Sequence, residues 1–339
     1  MYTFRNTERN NKKASEFETK SLLYLLSMRV DSEDIETIAV DCFNDVTGGC
    51  SQFEKLWDIQ SKNHSKLNPA KIGESLLTLY YNYLSDIDFY ELILFTPHMK
   101  RDYLIDKSLT TYNVSNFTDK AQKGIRTKLL EKINGNKSGS VPPLFNDFMS
   151  VVCFVEDKFE CVEYVKRVSK FKNHSSVSAK LYESMFNEIR DKQSVLKNSY
   201  IENKTVFKSH EVLNFNRHIT KLDIHTLIIS RLIGVDVFKN KMIPIPFFQL
   251  ISGLDEEGIN DLILECNSNL SRCFFDKNGC GDFWSVSEFI VNEVRNGRRN
   301  LEGIYFTLNS KFRYKKSYLN ESTVKYLISL IITGFSDES

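Results

Sequence analysis

The segment Leu56 to Asn63 reads Leu-Trp-Asp-Ile-Gln-Ser-Lys-Asn and carries polar side chains at every second position of an apolar stretch. The apolar residues predict a buried strand. Alternate side chains of a strand face the same side, so Asp58, Gln60 and Lys62 share one face. An ionisable or amide group costs free energy when it is buried without a partner. We therefore expect this face to carry the chemistry of the protein, while the opposite face packs.

A carboxylate, an amide and a lysine are residue types that suit phosphodiester hydrolysis. Asp45 lies seventeen positions before Lys62. It is the expected first ligand of a divalent cation, and oxygen ligands suit Mg²⁺ or Mn²⁺. Gln60 offers a neutral amide oxygen, which attracts a cation less strongly than a carboxylate does. Lys62 would position the attacking water and stabilise the oxyanions that form on phosphorus.

A third oxygen ligand is available on a predicted helix, Ala14 to Met28. Phe17, Leu22 and Leu25 recur on one side of this helix. Glu18 lies one turn before Leu22, at the margin of the apolar stripe. Its carboxylate either reaches into the site or stays solvated at the boundary.

A hairpin is predicted to position Asp45. Ile38 to Val46 indicates a strand with Asp41 and Asp45 on one face. The residues from Thr47 to Ser51 include two glycines and predict the turn that returns the chain into the Leu56 strand. This hairpin would bring Asp45 towards the polar face of that strand.

The following elements complete the first half of the chain. Asn68-Pro69 predicts the N-cap and first turn of a helix that continues to Tyr83. Phe89 to Thr96, ended by Pro97, predicts a strand that is buried on both faces. Further predicted elements are a helix at Thr118–Ile133, a short apolar run at Met149–Val155, helices at Ser178–Arg190 and Ile219–Ile233 with Gly234 as C-cap, an irregular segment at Ile243–Leu250 and a helix at Ile259–Cys266.

Composition limits the class of protein. The chain has 339 residues, of which 41% are apolar and 26% charged, and these values favour a globular protein of two domains. The net charge of +1 means that affinity for a polyanion would depend on a local cluster of basic residues. The seven cysteines include no Cys-x-x-Cys pair, so we expect neither disulfides nor a zinc site.

Targeting signals also bear on the location of the protein. The first thirteen residues lack the apolar region of a secretory signal, and the longest apolar runs are shorter than the ~20 residues that cross a bilayer. We expect a cytoplasmic protein with no membrane partner. The stretch Lys311 to Lys316 interleaves basic and aromatic residues, which suits either a nucleic-acid surface or a solvated strand or loop.

The order of elements from Ala14 to Thr96, together with Asn44-Asp45-Val46 and Gln60-Ser61-Lys62, resembles the restriction-endonuclease-like superfamily in its Gln-x-Lys variant of the PD-(D/E)xK motif. The resemblance implies an α/β fold. Residues 1–157 would form a mixed sheet flanked by helices, the nuclease domain. Residues 158–339 would form a mainly α-helical domain for regulation or oligomerisation.

Within that superfamily, the chain is similar to the double-stranded DNA endonuclease domain of bacterial anti-phage effectors, those of cyclic-oligonucleotide signalling and, preferentially, of the Lamassu type. The resemblance implies that Asp45, Gln60 and Lys62 are the nuclease residues. Asn44 replaces the first acid of the motif, so Asp45 would act alone or with Asp41 or Asp58. The helix carboxylate, either Glu16 or Glu18, is not fixed by a motif.

The resemblance further implies partners. Nuclease effectors of Lamassu systems are held by an ATPase complex related to chromosome-maintenance (SMC) proteins, and they act after release and self-association. Two alternatives to a double-stranded DNA endonuclease stay open: a non-catalytic adaptor with a nuclease-like fold, and a nuclease that acts on RNA or single strands.

Overall fold

The structure is a computed structural model that describes residues 1–4, 12–64, 67–135, 140–238, 243–314 and 317–336. The chain divides into two compact units. Unit 1 consists of Met1–Val168 and Phe186–Ile224, and unit 2 consists of Ser169–Met185 and His225–Ser339. Unit 1 thus contains all of the predicted nuclease domain, 1–157, together with a later segment of the chain. The predicted boundary after residue 157 stays a prediction.

Most of the strands within the described residues belong to one sheet. The strands are β1 Tyr2–Thr3, β2 Thr37–Val40, β3 Val46–Gly49, β4 Leu56–Ser61, β5 Glu91–Thr96, β6 Thr111–Asn113, β7 Cys153–Glu156, β8 Thr205–Val206 and β9 His218–Thr220. Seven of them form a mixed sheet in the order β6-β7-β5-β4-β3-β2-β9. β2, β3 and β4 form an antiparallel meander, whereas β5 runs parallel to β4 and β7 parallel to β5. This confirms the predicted mixed α/β class.

The helices of the described residues precede, flank and follow these strands. They are α1 Lys12–Ser27, α2 Pro69–Ser75, α3 Leu77–Tyr83, α4 Asp119–Ile133, α5 Phe145–Val151, α6 Cys161–Val168, α7 Ala179–Leu196, α8 Lys221–Ile233, α9 Phe248–Ile251, α10 Glu256–Phe275, α11 Cys280–Arg295, α12 Leu301–Lys311 and α13 Glu321–Ser336. No helix in this part of the chain is long and apolar enough to cross a membrane.

Helices lie on both faces of β4 and β5. The α1 side chain of Phe17 packs against the ring of Phe95 in β5, with 5.0 Å between ring centroids. On the opposite face, α3 contributes Leu79 and Tyr80 to an apolar core that includes Leu94. Both strands are therefore almost entirely buried, as the apolar runs predicted.

The predicted strand Ile38 to Val46 is wrong in its extent. β2 ends at Val40, and Asp41 has a φ of +51°, so the chain turns before β3 begins at Val46. Asp41 and Asp45 therefore do not alternate along one strand. Asp45 instead occupies the last position of the turn, directly before β3.

The predicted turn Thr47 to Ser51 is also wrong, because Thr47, Gly48 and Gly49 belong to β3. The turn to β4 follows them and includes Phe53, whose φ is +54°. A Cβ atom on Gly49 would lie only 2.1 Å from the Phe53 ring. Glycine is required here because an aromatic ring packs on the strand, not because the backbone turns.

The other predicted elements are largely present. Asn68 caps α2, accepting a hydrogen bond of 2.9 Å from the Lys71 backbone N–H, although the predicted helix divides into α2 and α3. Gly234, with a φ of +74°, follows α8 as the predicted C-cap. The run Met149 to Val155 divides between α5 and β7, and the segment predicted as irregular, Ile243 to Leu250, includes the start of α9.

Candidate functional site

Asp45 and Gln60 meet where β3 begins and β4 ends. Val46 pairs with Ile59 in the antiparallel ladder, which places Asp45 opposite Gln60. The Asp45 carboxylate is buried, and its Oδ2 accepts three hydrogen bonds: 2.7 Å from Gln60 Nε2, 2.6 Å from the Ser61 backbone N–H and 2.7 Å from Ser61 Oγ. Ser61 is a partner that the sequence did not predict, because it was expected only to pack.

Gln60 links Asp45 to helix α3. Its Oε1 accepts a hydrogen bond of 2.7 Å from Thr78 Oγ1, while its Nε2 faces Asp45. For Gln60 to bind a cation beside Asp45, the amide must turn so that its oxygen faces the carboxylate. The Thr78 hydroxyl can then accept from Nε2, because a hydroxyl is both a donor and an acceptor.

Lys62 extends the polar face of β4 beyond its last residue. Its backbone N–H donates to Phe95 O at 2.9 Å, so pairing with β5 continues here. The side chains of Gln60 and Lys62 contribute to a groove of about 430 Å³. The groove lies beside α2 and α3 and is lined by Gln60, Lys62, His64, Lys71, Glu74, Ser75, Leu77 and Thr78. Asp45 is one hydrogen bond from this groove, through Gln60.

Glu18 is buried on α1 rather than solvated, whereas Glu16 is exposed. The alternative of a solvated boundary residue is therefore wrong for Glu18. Burial raises the pKa of the Glu18 carboxyl to about 7, the ammonium of Lys197 opposes this shift, and the charges of Asp45 and Asp41 add to it. Glu18 also forms an ion pair with Lys197. We call Glu18, Asp41 and Asp45 the acidic cluster.

Asp41 has its own cation. Arg217 is almost fully buried, and its Nη1 donates to Asp41 Oδ2 at 3.0 Å and to Asp41 O at 2.8 Å. Burial nevertheless raises the pKa of the Asp41 carboxyl. Lys197 and Arg217 were not identified from the sequence, because both lie more than 150 residues after the carboxylates that they neutralise. Only the return of the segment Phe186–Ile224 into unit 1 brings them there.

Asp58 shares a strand face with Gln60 but has a different environment. It is fully buried and accepts hydrogen bonds of 2.8 Å from Thr47 Oγ1 and 2.8 Å from Asn82 Nδ2, and a third from Asn44 Nδ2. Burial raises the pKa of Asp58 to about 6, although these donors lower it. Asp58 thus ties β4 to the preceding turn and to α3. Asn44, at the position of the expected first acid, is one of its donors.

The donor set fits a magnesium or manganese ion in chemistry, but not in its present arrangement. Asp45, Gln60 and Glu18 all offer oxygen atoms, which Mg²⁺ prefers. Within the described residues, no group of three or more His, Cys, Asp or Glu side chains is placed to hold a metal ion. A cation at Asp45 requires the Gln60 amide to turn, and its binding to Glu18 requires the ion pair with Lys197 to open.

The basic and aromatic stretch from Lys311 to Lys316 is only partly described. Lys311 ends α12, Phe312 and Arg313 follow outside regular structure, and residues 315 and 316 lie outside the described residues. It lies in unit 2, whereas Asp45, Gln60 and Lys62 lie in unit 1.

Comparisons with protein-family models, with curated proteins and with solved structures found no match to this chain.

Proposed function

We propose that the chain is a Mg²⁺- or Mn²⁺-dependent endonuclease that hydrolyses double-stranded DNA. The observation that carries this proposal is that Asp45 and Gln60 meet where β3 begins and β4 ends. Gln60 Nε2 lies 2.7 Å from Asp45 Oδ2, and Lys62 follows two residues beyond Gln60. The order of elements gives further support. A helix, an antiparallel meander, two short helices and a strand parallel to β4 follow one another, an order close to the predicted helix, hairpin, helix and strand on which the resemblance to restriction-endonuclease-like proteins rested.

The residues of the site have distinct proposed roles. Asp45 and Glu18, with the amide oxygen of Gln60, would hold the cation, which neutralises charge on the phosphate and activates water. Lys62 would orient that water and stabilise the oxyanion. Ser61 holds the Asp45 carboxylate in place through two hydrogen bonds.

The groove beside β4 supports a polyanionic substrate. Lys62, His64 and Lys71 line it, and its acidic residue, Glu74, is paired with Lys132 at 2.6 Å. A local group of basic side chains can bind the phosphate backbone even though the net charge of the chain is only +1. Double-stranded DNA is preferred as substrate on the basis of the resemblance.

The biological setting is proposed from the resemblance alone. The nuclease would serve bacterial antiviral defence as the effector of a Lamassu-type system in the cytoplasm. Unit 2 and an SMC-like ATPase partner would control it, and it would act as a homo-oligomer. Co-purification of the chain with the products of its neighbouring genes tests the partner.

Plasmid cleavage tests the activity. The wild-type protein, alone and with its partner complex, is incubated with supercoiled plasmid and Mg²⁺, alongside Lys62→Ala and a control, Lys123→Ala, which removes the same charge from an exposed position of α4. The proposal requires nicked or linear DNA from the wild type and the control but not from Lys62→Ala. Intact plasmid in every reaction, including those with partner and self-associated protein, would overturn it.

A non-catalytic adaptor is the second candidate. The observation that favours it is the hydrogen-bond network at Asp45, where one carboxylate oxygen accepts three hydrogen bonds and both polar atoms of Gln60 are used. Such a network can serve stability alone. If Lys62→Ala protects bacteria from phage as well as the wild type does, the adaptor is correct. Competition among labelled duplex, single-stranded DNA and RNA distinguishes a nuclease acting on RNA or single strands.

A further inference from the structure

A polar seam joins α1 to the end of α7 within unit 1. Ser15 Oγ and Ser194 Oγ lie 3.1 Å apart, Thr19 Oγ1 donates to Gln193 Oε1 at 2.7 Å, and Lys197 Nζ donates to Glu18. We call these six side chains the α1–α7 seam: Ser15, Glu18 and Thr19 on one side, and Gln193, Ser194 and Lys197 on the other. Glu18 thus belongs both to this seam and to the acidic cluster.

The hydrogen bonds of the α1–α7 seam can change partners. Gln193 is fully buried beside Thr19, whose Oγ1 lies 2.8 Å from Ser15 O and 2.7 Å from Gln193 Oε1, and its one hydroxyl proton can be donated to only one of these oxygens. When Thr19 donates to Ser15 O, a turned Gln193 amide can donate from Nε2 to the Thr19 hydroxyl, so the seam has two hydrogen-bonding arrangements. Hydroxyl and amide groups can exchange partners when one helix shifts against the other, because each can donate and accept.

The path of the chain connects the seam to unit 2. The residues of α7 up to Met185 belong to unit 2, and those from Phe186 belong to unit 1. Lys197 follows the last residue of this helix. A change in unit 2 therefore has a covalent, helical route to the side chain that neutralises Glu18.

We propose that the Lys197 ammonium competes with the divalent cation for the Glu18 carboxylate of the acidic cluster. The α1–α7 seam holds Lys197 in this position, and we call this arrangement the latch. The inference rests on the proposed function, because it takes Glu18 as a ligand of the cation. Lys197 supplies one positive charge to a buried carboxylate that would otherwise need a metal ion or a proton. The Glu18 carboxylate would become available to the cation once the Lys197 ammonium leaves it.

Manganese binding tests the competition without any readout of activity. Free Mn²⁺ is measured by electron paramagnetic resonance during titration of the wild type, Lys197→Met and Lys197→Arg. Met is unbranched and only one atom shorter than Lys but removes the charge, so we expect Mn²⁺ to bind about tenfold more tightly or better, a typical strength for coupled sites. Lys197→Arg should bind as the wild type does. The double variant Glu18→Gln with Lys197→Met should lose the gain.

A reversible cross-link tests the latch even if Lys197→Met is unstable. Ser15→Cys with Ser194→Cys places two thiols where hydroxyls now lie 3.1 Å apart, which favours a disulfide. The oxidised protein should bind Mn²⁺ about tenfold more weakly than the same protein after reduction. Equal affinity of both forms would contradict movement of the seam.

The outcomes separate the latch from the nuclease. If Lys197→Met and the wild type bind Mn²⁺ equally and the wild type cleaves plasmid, Lys197 is no competitor and the nuclease stands. If no variant binds Mn²⁺ and none cleaves plasmid, both the latch and the proposed function are wrong.

Discussion

At the carboxyl end of β4, unit 1 gathers buried carboxylates, whereas the buried charges of unit 2 stand singly beside exposed partners. Glu18, Asp45 and Asp58 are all less than a tenth exposed, and their partners are buried as well. In unit 2, Lys325 is buried, but the side chains of its partners Glu302 and Glu321 are 61% and 64% exposed.

This difference reflects what each architecture does with polar groups. In unit 1, a sheet that is covered on both faces places β3 and β4 side by side in its interior, so polar side chains where β3 begins and β4 ends converge. Burying a charge costs free energy. Buried carboxylates with shifted pKa values therefore mark functional sites more often than ion pairs on the surface do. The helices of unit 2 bury apolar residues such as Trp284 and Leu327 and keep most charges near water. Chemistry is accordingly expected in unit 1 and not in unit 2.

The largest expected difference is in plasmid cleavage, between a variant that neutralises a carboxylate of unit 1 and one that neutralises a carboxylate of unit 2. Asp45→Asn should reduce plasmid cleavage by about a hundredfold or more, because the proposed ligand and its charge are lost. Glu293→Gln, which removes a buried carboxylate of unit 2, should leave the cleavage rate unchanged. Equal losses from both substitutions would end the distinction between the two units.

Asp58 should make stability depend on pH. Its pKa is about 6 in the folded protein against 3.8 ordinarily, so its contribution is fully present below pH 3.8 and is lost as the pH rises through 6. Relative to Asp58→Asn, the wild type should lose free energy of unfolding, on the order of 3 kcal/mol, across this range. Urea unfolding at a series of pH values measures it. A difference that does not vary with pH would show that Asp58 titrates normally.

The affinity for duplex DNA should depend on the charge of the side chains that line the groove. Lys71→Glu should weaken binding of duplex DNA about tenfold and make it less dependent on salt, since the proposed contact with phosphate is replaced by repulsion. Fluorescence anisotropy at several salt concentrations measures both effects. Lys123→Glu, on the exposed side of α4, is the matched control and should change neither.

The smallest effect is expected at the buried charge of unit 2. Lys325→Met keeps the packing of the side chain and leaves two glutamates that are already hydrated. The free energy of unfolding should therefore fall by less than about 1 kcal/mol. A loss of several kcal/mol in urea unfolding would mean that unit 2 also depends on buried electrostatics.

Residues of the site that lie close together along the sequence were predicted better than residues that lie far apart along it. Alternation along β4 correctly placed Asp58 and Gln60 on one face, where they meet Asn82 and Thr78 of α3. The predicted turn beside β4 was wrong, because Gly49 is explained by the ring of Phe53 and Gly48 by the side chains of Ile35 and Leu25, and not by a turn of the backbone.

The cations of the acidic cluster could not be predicted. Lys197 and Arg217 follow the acidic residues by 179 and 176 positions, and no spacing or periodicity connects them. Their role depends on the second passage of the chain through unit 1, which is a property of the tertiary fold. The burial of Glu18 has the same origin, since α1 alone left that residue at a boundary.

The central claim is that Asp45 and Lys62 act around one divalent ion at the ends of β3 and β4. Anomalous diffraction from crystals soaked in Mn²⁺ tests it most directly. The account predicts a manganese peak about 2–2.5 Å from an Asp45 carboxylate oxygen, with the Lys62 ammonium on the same side of the sheet. A peak elsewhere, or no peak with the Lys62 side chain directed away from Asp45, would contradict it.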